Sequence, residues 1–427
     1  MFFTLEDPRA KIQGSRDPLG VQPIWAAFGR RLVTNLTTVT TSVRGFTVLL
    51  LGRYVGQRLI EENAIRPQDA LSVFLRIEQI AAYARHKGHG VEGDIRGIER
   101  VKRALAEPGD KVLINDGPSG MILSDQKTYG LWGLYSVAAR VSGLIPDGPV
   151  GVTPRAREFV ERNYWPRLRP VEDELLRLAA KDGKLRTSLS DRLFRAVVSV
   201  LPERLTAPER DFYGATLRDA RFVDAEGQPN RQALLAGLLN EHADLDAWID
   251  RTTVLALAKL ARPVDTGLAE RLLKIARLEA TLAPAETIFD HLQTRQGQTP
   301  RDCAAALAET WERGVPNLDA DAFSALLPEI ESAVGPELCA AIEPCDAAMA
   351  GGKYEAAITA LLDWNRLVMQ GRNAAPWVRI QGGKLDVRYR SVEGVLPAAD
   401  ELPVLWINSY FLDALREITR QTRDPDR

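Results

Sequence analysis

The sequence predicts a mainly α-helical, multidomain protein with a winged-helix-like element and a C-terminal β-hairpin plus helix. Three observations lead there. Apolar residues recur every three or four positions through most of the chain, the period of one helix face. Clear alternation is confined to residues 377–390, on both sides of Gly382-Gly383, which reads as a hairpin closed by a two-residue turn. The chain has 427 residues, 45% of them hydrophobic, more than a single core of roughly 100–200 residues organises.

Each element follows from local pattern. Leu32, Leu36, Val39, Val43, Phe46 and Leu50 place an apolar stripe on one helix, with Thr34, Thr37, Thr38, Thr40, Thr41 and Ser42 opposite. These hydroxyl residues are weak helix formers, so burial has to hold that helix. A second helix spans about 69–85 and stops at His86-Lys87-Gly88-His89-Gly90. A third covers about 94–105, before Pro108-Gly109. Pro166 and Pro170 bracket a hinge, followed by helices near 171–182, 190–201, 231–239, 243–261 and 267–282. After the hairpin a closing helix covers 406–420. The expected organisation is a basic helical domain over 1–165, a helical middle domain over 166–300, and an acidic helical segment with hairpin and closing helix over 301–427. Gly352-Lys353-Tyr354 with Glu355 to Ile358 resembles one helix of a tetratricopeptide unit, but nothing similar recurs near a 34-residue spacing.

Charge is distributed unevenly. Lys and Arg number 55 against 57 Asp and Glu, a net charge of -2, which excludes a uniform polycation. Residues 1–60 carry eight basic and three acidic side chains, counting Arg9, Lys11 and Arg16, whereas residues 301–350 carry two basic and ten acidic ones. A polyanion-binding end and two solvated faces of opposite sign both fit these counts.

The most structured signal lies between Leu123 and Val160. Residues 127–142 read as an amphipathic helix with Leu131, Leu134, Tyr135, Ala138 and Val141 inward. An apolar exit, the turn Pro146-Asp147-Gly148-Pro149, a short strand at 150–152 and a helix capped by Thr153-Pro154 follow. That order is found in a winged helix, whose recognition helix and wing meet DNA or dock a protein. Any core helix followed by a turn gives similar text. On the DNA reading, Gln126, Lys127, Tyr129, Trp132 and Arg140 lie near bases and Arg155 and Arg157 near phosphates. Arg30, Arg31, Arg44 and Arg53 are further phosphate candidates, because guanidinium forks pair with phosphate, although their stems also suit snorkelling over apolar surface.

Catalytic signatures are sparse. No G-x-x-x-x-G-K-[ST] loop, G-x-S-x-G elbow, G-x-G-x-x-G turn or kinase set occurs. His86 and His89 form an H-x-x-H pair near Glu92 and Asp94, but a glycine-containing turn does not hold ligands as a zinc site requires. Cys303, Cys339 and Cys345 lack CxxC spacing, and three thiols fit a reducing cytoplasm. No cofactor, metal or catalytic residue is therefore expected. A dispersed metal-dependent nuclease around Asp94, Glu99 and Lys102 is the enzymatic alternative, and a pure protein–protein scaffold is the third. Apolar runs such as Val48-Leu49-Leu50-Leu51 are far below the ~20 residues of a membrane span, and no secretory signal is read at the start.

Asp17-Pro18-Leu19-Gly20, Arg44-Gly45-Phe46-Thr47, the stretch from Gln126 to Gly133 and Ser142-Gly143-Leu144 together resemble non-catalytic subunits of bacterial anti-phage defence operons. The likeness covers the first 165 residues and the closing hairpin and helix. It implies an antiviral-defence adaptor in a multi-subunit complex with an ATPase, helicase or modification enzyme, and brings no catalytic motif with it.

Overall fold

Threonine and serine hydroxyls decide where the first long helix begins. Helix α1 (Val21–Arg30) ends at Arg31, and α2 (Val43–Glu61) starts only after Ser42, whose side chain accepts from the Gly45 amide. Between them Thr40 Oγ1 accepts from the Thr37 amide at 2.7 Å and donates to the Thr37 carbonyl at 3.0 Å. Such side-chain bonds offer the backbone an alternative to helical pairing, so the single helix expected through Leu32–Leu50 is broken by its own hydroxyl residues. The computed structural model describes residues 17–148, 150–223, 230–312, 314–391 and 394–424. Arg9, Lys11, Arg16, Pro149 and Arg313, used in the charge and turn readings, lie outside the described residues.

The chain is mainly helical. Helix α3 (Ala70–His89) runs to a left-handed Gly90 and α4 (Ile98–Ala106) follows. Strand β1 (Lys111–Ile114) comes next, then α5 (Gln126–Tyr129), α6 (Leu131–Val141), α7 (Pro154–Asn163), α8 (Trp165–Leu168) and α9 (Glu172–Ala180). Strand β2 (Gly183–Arg186) pairs antiparallel with β1, Lys111 opposite Arg186 and Ile114 opposite Gly183. Pro166 and Pro170 therefore sit in the helical connection between two paired strands. Helices α10 (Arg192–Val200), α11 (Ala207–Tyr213) and α12 (Gln232–His242) complete this run.

Two further helices depart from their expected bounds. α13 (Arg251–Ala261) begins where Asp250 accepts from the Thr253 amide, eight residues later than periodicity suggests. α14 (Thr266–Leu292) continues through a buried Pro284 and is buried on nearly every side. α15 (Pro300–Trp311), α16 (Ala320–Ser324), α17 (Leu327–Val334), α18 (Pro336–Ala350) and α19 (Tyr354–Gly371) follow. Strands β3 (Val378–Gln381) and β4 (Lys384–Val387) form the predicted hairpin. Its turn residues Gly382 and Gly383 have φ of +59° and +77°, the paired left-handed conformation of a type I′ turn. The closing helix α20 (Leu412–Thr422) starts six residues later than expected, because Tyr410 and Phe411 adopt φ of +47° and +62°.

Two compact units partition the chain. The larger comprises Val33–Ala247 and Phe411–Arg427, the smaller Met1–Leu32 and Trp248–Tyr410. In the larger, α2 packs on α3 and α6, and Phe46, Leu49, Leu50 and Phe74 are fully buried. In the smaller, α14 carries the core, with Arg277 bound to the buried Asp346 carboxylate at 3.0 Å. No helix among the described residues is long and apolar enough to cross a membrane.

Candidate docking surface

The α5–α6 segment is clamped by one buried carboxylate. Glu78 on α3 accepts from Gln126 Nε2 at 2.7 Å and from the Leu131 amide at 2.6 Å. Gln126 Nε2 also donates to the Leu75 carbonyl at 3.0 Å, and its Oε1 accepts from the Ile122 amide at 3.2 Å. Desolvation pushes the Glu78 carboxyl up to about 7, partly opposed by these donors. Gly130 separates the two helices because a Cβ there would lie 2.3 Å from the Gln126 carbonyl oxygen and 2.9 Å from the Glu78 carboxylate. The single helix expected over 127–142 is therefore two.

Burial then fixes which face is offered outward. α6 buries Leu131, Tyr135, Ser136, Ala138 and Ala139. Trp132 stacks edge-on to Phe74 at 5.2 Å beneath the Arg53 guanidinium at 3.8 Å, and Tyr135 meets Phe46 edge-on at 4.9 Å. The opposite face presents Val137, 55% exposed, and Val141, with Tyr129 62% exposed on α5. Val141 was expected inward; the turn at Ser142 ends the helix before it is covered. Beyond the turn the strand expected at 150–152 is absent. Gly151 has φ of +85°, and the Val152 amide donates to Gln57 Oε1 instead of to a ladder.

The predicted site residues separate into two units and into different chemical states. Arg30 and Arg31 belong to the smaller unit, where Arg31 pairs with Glu329 and burial lowers the Arg30 pKa. The others belong to the larger unit. Arg44 is buried against Glu209 and donates to the Pro202 and Arg204 carbonyls at 2.7 and 3.0 Å. Gln126 is buried in the clamp. Arg140 pairs with Asp147 at 3.2 Å. Arg157 is held between Glu61 at 2.8 Å and Glu161 at 2.9 Å, which raises its pKa. Arg155 lies over the Phe222 ring at 3.1 Å from the centroid. Lys127 and Tyr129 remain exposed. The guanidinium groups at 44, 140 and 157 therefore already have carboxylate partners, and the exposed side of α5–α6 combines Lys127 and Thr128 with Tyr129, Val137 and Val141. Periodicity marked the helix but not its outward valines, because a four-residue spacing reads the same from either side.

The nuclease candidates are engaged as well. Asp94 accepts from Ser42 Oγ at 2.8 Å and from Arg85 at 3.2 Å. Lys102 lies 2.6 Å from Glu92 and 3.9 Å from Glu99. His86 Nδ1 and His89 Nε2 face the Val91 and Val198 carbonyls at 3.1 and 3.0 Å, so each nitrogen there is a donor. Among the described residues no group of three His, Cys, Asp or Glu side chains is arranged to hold a metal ion. The cysteines are buried free thiols, and burial, then Asp346, pushes the Cys345 thiol up. A cavity of about 20 Å³ beside Glu78, Arg85 and Asp94 holds about one water, well below the hundreds of Å³ of a small-molecule site. Comparison with protein-family models, with curated proteins and with solved structures found no match.

Proposed function

We propose that the chain is a non-catalytic adaptor subunit that docks a protein partner through the winged-helix-like segment 126–163. The observation that carries this is the outward face of α5–α6, where Tyr129, Val137 and Val141 are exposed on a segment fixed from behind by Glu78, Gln126 and Gly130. Exposed apolar residues on a rigid, well-capped element suit a partner surface. Arg140 and Arg157 are paired with carboxylates and Arg155 lies over Phe222, which favours protein over DNA at this element. The resemblance to defence-operon subunits supports a partner that supplies ATPase, helicase or modification chemistry. A photo-crosslinking residue placed at Val137 in the producing cell should capture one dominant polypeptide, and one at Arg195, exposed elsewhere on the larger unit, should not. Equal capture from both positions, or none from Val137, contradicts the assignment.

A further inference from the structure

The antiparallel ribbon β1–β2 concentrates positive charge on one face. Val112, Ile114 and Leu185 point inward and are buried, while Lys111, Leu113, Lys184 and Arg186 point outward. Lys111 sits directly opposite Arg186, and Leu113 opposite Lys184. Like charges facing each other across a strand pair are destabilising, and none of the three outward cations has an ion-pair partner among the described residues. Lys87 of α3 lies beside the ribbon on its other side, its Nζ 3.4 Å from Oγ1 of the buried Thr187, one residue beyond Arg186.

The two acids at the far end of the ribbon share a single cation. Asp116, just after β1, and Asp182, just before β2, both pair with the buried Arg76 at 2.8 Å. Glu107 and Asp110, at the open end, have no ion-pair partner among the described residues. The platform is also rigid. Gln79 accepts from the Asn115 amide at 3.2 Å and donates to its carbonyl at 2.6 Å, and the Thr187 amide extends the ladder to the Asp110 carbonyl at 2.7 Å.

We infer that this face binds the phosphate backbone of duplex DNA without sequence preference. Three cations on the outward face of a two-stranded ribbon complement a polyanion, and the major groove admits such a ribbon. Leu113 offers an apolar contact, and cation–phosphate contacts position a protein on the duplex without carrying sequence information. This surface is distinct from the α5–α6 face and does not depend on it.

The test is fluorescence anisotropy of a labelled 30-base-pair duplex of arbitrary sequence, titrated with the full chain. Neutralising three phosphates should weaken binding roughly 40-fold between 50 and 200 mM salt. The triple variant Lys111→Glu, Lys184→Glu, Arg186→Glu should bind at least tenfold more weakly at 50 mM, whereas Lys127→Glu should match wild type. The milder pair Lys111→Gln, Arg186→Gln serves if the triple variant does not fold, and should show a several-fold loss at an undiminished Tm. No binding at 50 mM salt, or binding equal in the ribbon variants, overturns the inference. So does poly-glutamate of matched charge binding as tightly as the duplex, which would make the partner an acidic polypeptide.

Discussion

Glu78 and Gln126, 48 residues apart in the chain, meet through a 2.7 Å hydrogen bond that ties α3 to the docking segment. Because the carboxyl is desolvated, its folded-state pKa rises to about 7. A group whose pKa is raised on folding holds its proton more tightly in the native state. Its contribution to stability is thus full below about pH 4, its unfolded range, and is lost as pH climbs through 7. Chemical denaturation of wild type should show this decline, and Glu78→Gln should flatten it. Gln126→Ala should cost about 2 kcal/mol by removing one of the two donors to the buried carboxylate and leaving the Ile122 amide unpaired. A Gln126→Ala protein of undiminished stability contradicts the clamp.

The buried pair Arg44–Glu209 yields a second expectation. Tyr164 also donates to Glu209, at 2.9 Å. Removing one partner leaves an uncompensated buried charge, so Arg44→Ala or Glu209→Ala should cost about 3–5 kcal/mol. A phosphate-binding role for Arg44 predicts the opposite pattern, a loss of DNA affinity at unchanged melting temperature. Thermal melts paired with duplex titration separate the two.

In the smaller unit, Glu279 accepts from the Ile407 and Asn408 amides at 2.6 and 2.8 Å and from Tyr410 Oη at 2.7 Å. Asn408 Nδ2 bridges to Glu286 at 2.8 Å. Desolvation pushes Glu279 up to about 7 and Glu286 up to about 8, the latter also through repulsion from Glu279. Amide exchange protection of α14 should therefore weaken as pH rises from about 5 to 8. Glu286→Gln should restore it at pH 8, by on the order of 1 kcal/mol or more. Protection that rises with pH in wild type would reverse the sign assigned here.

Across the ribbon, stability and binding should move in opposite directions. Lys111→Glu alone places a carboxylate opposite Arg186, which should stabilise the fold by about 0.2–1 kcal/mol while weakening duplex affinity. Parallel loss of both is the contrary result.

Much of the helical architecture was legible because 3.6-residue periodicity and caps such as Thr153-Pro154 and the Gly382-Gly383 turn are local signals. The errors cluster where tertiary partners decide. Nothing near residues 111 or 183 announces that Lys111 will pair with Arg186, since strands of four residues carry too little alternation and their register is set at a distance. Arg44 and Arg157 read as phosphate ligands until Glu209 and Glu61 arrive from other elements, with Glu161 one turn along the same helix as Arg157, to pair with them. Val141 reads as core, and Val137 is not singled out, because amphipathicity shows that one face is buried, not that the other is also apolar. The segment 31–42 misled through side-chain bonds between Thr37 and Thr40 that periodicity does not encode.

The most direct test of the adaptor assignment is affinity purification of the tagged full chain from its producing cells, followed by native mass measurement. Wild type should carry a catalytic partner at fixed stoichiometry. Val137→Asp with Val141→Asp, which changes only exposed side chains, should release that partner at unchanged melting temperature. Wild type that purifies alone, or a variant that retains the partner at the same stoichiometry, contradicts the account.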